Sequence, residues 1–198
     1  MKKEILYLSN LVTLSRFFLL AITAYFLLSD KYLVTLLLII LIWLTDMIDG
    51  YLARSRNEVS ELGKIIDPVA DKLSVAVIML ILVIKNIVPL WFCVMVILRD
   101  VLILAGGYYI IRQRKIVLQS DFTGKLTVFI IGFTFFWFIL SHSAVTGAFG
   151  EVFKNIFISL ELFIYILLFL SIVMIIVSLV SYLRKFLTNL KNTPVNPG

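Results

Sequence analysis

Six apolar runs separated by polar residues constrain this chain more than any other feature. A helical crossing of a bilayer needs roughly 20 mainly apolar residues. The first run extends from about Leu11 to Leu28 and is closed by Ser29-Asp30-Lys31. The second covers Tyr32 to about Arg54, and the third follows the polar loop Ser55-Arg-Asn-Glu-Val-Ser-Glu61 and ends at Ile84. Pro89 suits the first turn of a fourth span reaching Ile111. A fifth starts near Gly124 and fades by Ser141, where Ser141 to Glu151 reads as an outer loop carrying His142. The sixth covers about Ile156 to Leu183, with Glu161 one turn inside it at the interface.

Composition excludes the main alternatives. Hydrophobic residues make up 62% of the 198 positions and charged residues only 15%. Soluble domains stand nearer 45–50% apolar. The charged residues are too few to coat a water-soluble globule, which argues against a typical cytosolic enzyme. A disordered or nucleic-acid-binding chain is a worse fit still. The expected fold class is therefore an all-α integral membrane protein, a bundle of six transmembrane helices. It forms a single domain over residues 1–190, with a disordered tail over 191–198. The lone Cys93 has no partner for an internal disulfide and leaves the redox compartment open.

Lys and Arg placement orients the bundle. Thirteen of the eighteen fall on one side, from Lys2 and Lys3 through Arg54, Arg56, Lys64, Lys72 and the Arg112–Lys125 group to Arg184, Lys185 and Lys191. Only Lys31, Lys85 and Lys154 fall on the other, while Arg16 and Arg99 lie inside spans. The positive-inside rule places both termini in the cytoplasm, in a multi-pass protein of the inner (cytoplasmic) membrane. A net charge of +6 suits contact with anionic membrane lipids.

Four aspartates break the apolar pattern where charge is costly. They stand in Asp46-Met-Ile-Asp49-Gly50-Tyr-Leu-Ala53-Arg54 and in Gly63-Lys-Ile-Ile-Asp67-Pro-Val-Ala-Asp71. An ionised Asp inside a span costs several kcal/mol, on the order of 3, unless it is paired, hydrated or metal-bound. Asp46 and Asp49 are i, i+3 on one helix; Asp67 and Asp71 are i, i+4 on the next. A short connection makes the two helices antiparallel neighbours, so the four carboxylates can converge near the cytoplasmic ends. Neutralising them takes about two divalent cations, and all-oxygen ligands favour Mg²⁺ or Mn²⁺ over zinc. Gly50, Ala53 and Gly63 let helices approach closely, leave room for a flat ligand, or both. Arg54 at the rim suits a phosphate. Two metals, a phosphoryl group and a carboxylate base form a phosphoryl-transfer arrangement. A buried ion-pair network or an ion-coupled transporter site would also use four carboxylates, but neither requires the small residues at fixed offsets.

The pattern Asp-x2-Asp-Gly-x2-Ala-Arg-x8-Gly-x3-Asp-x3-Asp resembles the signature of the CDP-alcohol phosphotransferases at all eight specified positions. The resemblance extends over the whole chain, including Asn10-x-x-Thr13-x-x-Arg16 at the start of the first span. Members of that family transfer a substituted phosphate from a CDP-linked donor to an alcohol and release CMP. The resemblance implies that Asp46, Asp49, Asp67 and Asp71 hold two Mg²⁺ or Mn²⁺ ions, with Asp71 also the base for the acceptor hydroxyl. Asn10, Thr13, Asp49, Gly50, Ala53, Arg54 and Gly63 are then expected to line the CDP-donor site, which faces the cytoplasm. It further implies CDP-diacylglycerol as donor and a homodimer.

The acceptor rests on thinner signals. The Asn10 segment and Gly124-Lys-Leu-Thr127 look like phosphatidylglycerophosphate synthases, which use glycerol 3-phosphate. Arg99-Asp100-Val-Leu-Ile-Leu instead resembles the cardiolipin synthases of the same family, which use phosphatidylglycerol. Arg16, Arg99, Arg112, Arg114, Lys115 and Lys125 are the candidate acceptor-binding residues. Positive-inside topology and lipid headgroups also account for the basic cluster, and Arg16 reads equally as a snorkelling side chain with Asn10 as a helix cap. Arg99 lies 13 residues before Arg112, roughly 20 Å along a helix. Arg99 and Asp100, facing different ways, are expected to need separate partners. A non-enzymatic membrane scaffold is the alternative of a different class, and it predicts no dependence on divalent metal.

Overall fold

The protein is all-helical among the residues that its computed structural model describes, which are 8–55, 61–114, 122–145 and 161–192. These form α1 (Leu8–Leu28), α2 (Tyr32–Ser55), α3 (Glu61–Ile84), α4 (Leu90–Arg114), α5 (Phe122–Val145) and α6 (Glu161–Asn192). Three of them are long and apolar enough to cross a membrane, over Leu90–Gln113, Phe122–Ser143 and Phe163–Asn189. Large apolar side chains stand exposed on all six helices, among them Phe18, Leu37, Leu80, Leu104, Phe129 and Phe169. A water-soluble surface does not carry that much apolar area, whereas a lipid-facing one does.

The helices end where local chemistry stops them. Asp30 takes a left-handed conformation with φ 60° just past α1, and Lys31 N–H donates to the Phe26 carbonyl while Asp30 N–H reaches Leu27. Asn86 does the same past α3 with φ 55°, with Ile87 N–H on the Leu82 carbonyl and Asn86 N–H on Val83. Both are Schellman closures. Asp and Asn can serve there because their short polar side chains tolerate the left-handed region. At the start of α4, the Pro89 carbonyl accepts from the N–H groups of Phe92 and Cys93.

The chain divides into two compact units. The first gathers α1, α2 and α3 with His142, and α1 packs against both α2 and α3. Leu20, Leu27, Leu36, Met79 and Leu82 are buried there. The buried Thr23 and Thr35 hydroxyls each donate to a carbonyl one turn back, so neither is left unsatisfied in an apolar surround. The two Schellman ends meet: Lys85 Nζ donates to the Asp30 carboxylate at 2.5 Å, and the Tyr32 hydroxyl donates to the same oxygen. Lys85, and after it Tyr32, hold the Asp30 carboxyl below the usual carboxylate range.

The second unit gathers α4, α5 up to Ser141, and α6. Contacts pair Arg99 with Ser178, Gly106 with Tyr182 and Tyr109 with Phe186, so α4 and α6 run parallel. Thr127, Thr134 and Trp137 meet Met174, Ser171 and Phe163 in descending order, so α5 is antiparallel to α6. Polar contacts line part of the α5–α6 seam. Thr127 Oγ1 contacts the Met174 carbonyl at 3.1 Å, and Thr134 Oγ1 lies 2.8 Å from Ser171 Oγ. Gly106 allows the close α4–α6 approach: a Cβ there would stand 2.9 Å from the Tyr182 ring. Small residues permit such contacts between apolar helices, where burial of oil against oil supplies little drive.

Three expectations from the sequence need correction. The fifth helix does not fade at Ser141 but continues to Val145, with Ser141 and Ser143 buried. His142 is consequently a helical, half-buried residue, and its ring meets Tyr32 edge-on at 5.0 Å. Polar residues read as loop punctuation are here absorbed into helix packing. The sixth helix runs past Leu183 to Asn192, because Arg184 and Lys185 end an apolar run without ending a helix. Thr188 Oγ1 and Asn189 Nδ2 donate back to the Arg184 and Lys185 carbonyls along it. Lys191 and Asn192, expected in the tail, are therefore helical, while 193–198 lie outside the described residues. Residues 156–160 and the Glu161 side chain also lie outside them.

Candidate active site

The aspartate motif falls on two continuous helices of the first unit. Asp46, Asp49, Gly50, Ala53 and Arg54 occupy the C-terminal half of α2; Gly63, Asp67 and Asp71 occupy the N-terminal half of α3. Only residues 56–60 intervene between the two helices, and α1 packs on both. The backbone thus preserves the registers that the spacing requires. Asp46 and Asp49 stand less than a turn apart on α2, and Asp67 and Asp71 about one turn apart on α3. Pro68 lies in the interior of α3 between that second pair and supplies no N–H for a bond one turn back. The helix is continuous through it.

The side chains of 46–55 and 61–71 lie outside the described residues, as do those of Asn10, Thr13, Arg114 and Lys115. Among the described residues no three His, Cys, Asp or Glu gather to hold a metal ion. The fit of a divalent cation therefore rests on the donor set itself. Four carboxylates stand on adjoining helical segments that carry no His or Cys, which is a set of hard oxygen donors.

Arg16 is placed clearly. On α1 it is 2% exposed and ranks with the largest fully buried side chains. That excludes snorkelling to water, since a snorkelling arginine keeps its head solvated.

The remaining basic candidates separate in the second unit. Arg112, in the last turn of α4, and Lys125, in the first turn of α5, are both exposed. Arg99 is 6% exposed, and its Nη1 donates to Asp100 Oδ1 at 2.7 Å. Its Nη2 donates to Ser178 Oγ at 2.8 Å and contacts the Gly124 carbonyl at 3.4 Å. Arg99 and Asp100 pair with each other, and Arg99 in addition finds partners on other helices, as their different directions led one to expect. Their Cβ atoms do diverge, but the long arginine stem curls back to its neighbour and still reaches two other helices. Sequence reasoning missed Ser178 and Tyr182; the seven-residue interval between Ser171 and Ser178 in an apolar run was the available signal.

Comparison with known proteins bears on the whole chain. The family model described as CDP-alcohol phosphatidyltransferase matches residues 6–180. The chain belongs to the CDP-alcohol phosphatidyltransferase family. That makes it a membrane-associated phosphatidyltransferase of phospholipid biosynthesis, in a family that is generally metal-dependent. It is 31% identical over 179 residues to the CDP-diacylglycerol–glycerol-3-phosphate 3-phosphatidyltransferase of Aquifex aeolicus, covering 89% of this chain and 93% of that protein. A Rickettsia bellii protein of the same description is 40% identical over 67 residues, 34% of this chain and 37% of that protein. The rat cardiolipin synthase (CMP-forming) is 33% identical over 102 residues, covering 51% of this chain and 34% of its own. The family match includes both motif-bearing helices, α2 and α3.

Proposed function

We propose that this phosphatidyltransferase moves the phosphatidyl group of CDP-diacylglycerol to glycerol 3-phosphate and releases CMP. The observation that carries this reading is the near end-to-end match to the Aquifex aeolicus glycerol-3-phosphate enzyme, together with the complete aspartate motif on α2 and α3. Asp46, Asp49, Asp67 and Asp71 would hold two Mg²⁺ or Mn²⁺ ions, which when bound supply Lewis acidity and neutralise phosphate charge. Asn10, Thr13, Gly50, Ala53, Arg54 and Gly63, with Asp49, bind the CDP moiety. Asp71 takes the proton of the acceptor hydroxyl. Arg16, Arg112, Arg114, Lys115 and Lys125 supply positive charge for the acceptor's phosphate.

The cardiolipin synthase reading, with phosphatidylglycerol as acceptor, is favoured by Arg99-Asp100 and by matches such as the rat protein. Those matches cover about half of this chain and a third of the relative, so they support it less. Purified protein incubated with CDP-diacylglycerol and a panel of acceptors distinguishes the two. Phosphatidylglycerophosphate with stoichiometric CMP is the expected product; cardiolipin in its place overturns the acceptor assignment.

The same reading places one functional domain over residues 1–190 as a six-span bundle in the cytoplasmic membrane, both termini and the active site facing the cytoplasm, active as a homodimer among membrane lipids. Support comes from the thirteen-to-three Lys and Arg asymmetry, and from the alternating directions of α4, α5 and α6. In a Cys93→Ala background, Ser29→Cys offers an exposed thiol in the α1–α2 turn. Membrane-impermeant maleimide added to spheroplasts is expected to label it. Labelling only after permeabilisation inverts the topology.

A further inference from the structure

Both terminal nitrogens of the buried Arg99 already face protein acceptors, and these contacts exceed what an ion pair needs. Pairing with Asp100 uses one nitrogen of the fork. The other ties α4 to Ser178 on α6 and to the Gly124 carbonyl on α5. A guanidinium is planar, permanently charged and rigid in its donor geometry, which suits it to holding several acceptors in one arrangement. Burying a guanidinium is a poor route to stability alone, because apolar side chains of similar volume hold helices together as well or better.

What Arg99 holds is informative. Gly124 is the third residue of α5 and immediately precedes Lys125, whose exposed side chain is free of the packing that surrounds Arg99. In the first two turns of α5, two described contacts reach other helices of this unit. One is Arg99 to the Gly124 carbonyl, and the other is Thr127 Oγ1 to the Met174 carbonyl on α6. Loss of the first leaves α5 registered against α6 while its first turn is released from α4. A released first turn moves the Lys125 backbone, and because the flexible lysine stem has no planar fork to fix its own direction, the backbone position sets the reach of its ammonium.

We propose that Arg99 is a positioning residue: through the Gly124 carbonyl it sets Lys125 against the phosphate of the acceptor. This rests on the reading that Lys125 meets that phosphate. The test measures KM for glycerol 3-phosphate and for CDP-diacylglycerol separately, in a double-mutant cycle of Arg99→Lys and Lys125→Met. Arg99→Lys alone is expected to raise the glycerol 3-phosphate KM by about tenfold, equivalent to ~1.4 kcal/mol, with the donor KM unchanged. In the Lys125→Met background the same substitution is expected to add almost nothing, because residues acting through one another are not additive. Ser178→Ala, which removes a single bond, is expected to shift the acceptor KM in the same direction by less, and it carries the cycle if Arg99→Lys does not insert. Equal effects with and without Lys125, or a parallel rise in both KM values, overturn the positioning role. Failure of the wild type to use glycerol 3-phosphate overturns the acceptor reading itself, a distinct outcome.

Discussion

Replacing Asp46 or Asp67 by Asn is expected to remove nearly all transfer activity, and excess EDTA is expected to do the same to the unmodified protein. The substitution keeps shape and hydrogen-bonding capacity while deleting the charge, so it tests the metal reading more sharply than Ala does. Four carboxylates on adjoining segments of α2 and α3 repel one another unless cations intervene or protons neutralise them. Losing a residue that merely supports a metal ligand typically costs about 10–100-fold, and loss of a ligand in this cluster is expected to exceed that. Mg²⁺ or Mn²⁺ added after EDTA should restore the unmodified protein and not the variants. Helical content, measured by circular dichroism, should stay the same throughout. Full turnover in EDTA, or in both variants, overturns the metal site. A scaffold or an ion-pair network predicts that outcome.

How much was legible in the sequence differs between local and distant effects. Helix ends set by nearby residues were readable: Ser29-Asp30-Lys31, Lys85-Asn86 and Pro89 all act within a turn or so of their own position. The aspartate motif was readable for the same reason, since its registers lie within two helices joined by five residues. Errors arose where a polar residue is buried against or bonded to a distant part of the chain. Ser141 and His142 look like a loop, but burial and the Tyr32 ring, 110 positions away, keep them helical. Arg99 and Asp100 gave no sign in the sequence that they pair with each other, nor that Ser178 receives the other arm of the guanidinium. Gly106 gave no sign in an apolar run that Tyr182 would lie against it. Periodicity reports which face of a helix is apolar; it does not report which distant helix supplies a partner for the polar exceptions.

The carboxylates should also divide their labour, and Asp71 should matter more for turnover than for donor binding. A glycerol hydroxyl is a poor nucleophile near neutral pH because its pKa lies far above that range. A positioned general base typically contributes about 10²–10⁴-fold. Asp71 stands one turn beyond Asp67 on α3, a spacing that keeps both on one face yet about 6 Å apart along the axis. A carboxylate loosely shared with a cation can still accept a proton as bond formation acidifies the attacking hydroxyl, whereas one fully committed as a ligand accepts it reluctantly. Asp71→Asn is therefore expected to lower kcat by at least about 100-fold while donor affinity changes little. Asp46, assigned only as a ligand for the ions that hold the diphosphate, should show the opposite: Asp46→Asn weakens donor binding itself. Binding of CDP-diacylglycerol by titration calorimetry, set beside single-turnover rates, separates the two variants, because turnover alone falls in both. If Asp71→Asn loses donor affinity as severely as Asp46→Asn, Asp71 is chiefly a metal ligand, and the acceptor proton must leave by another group.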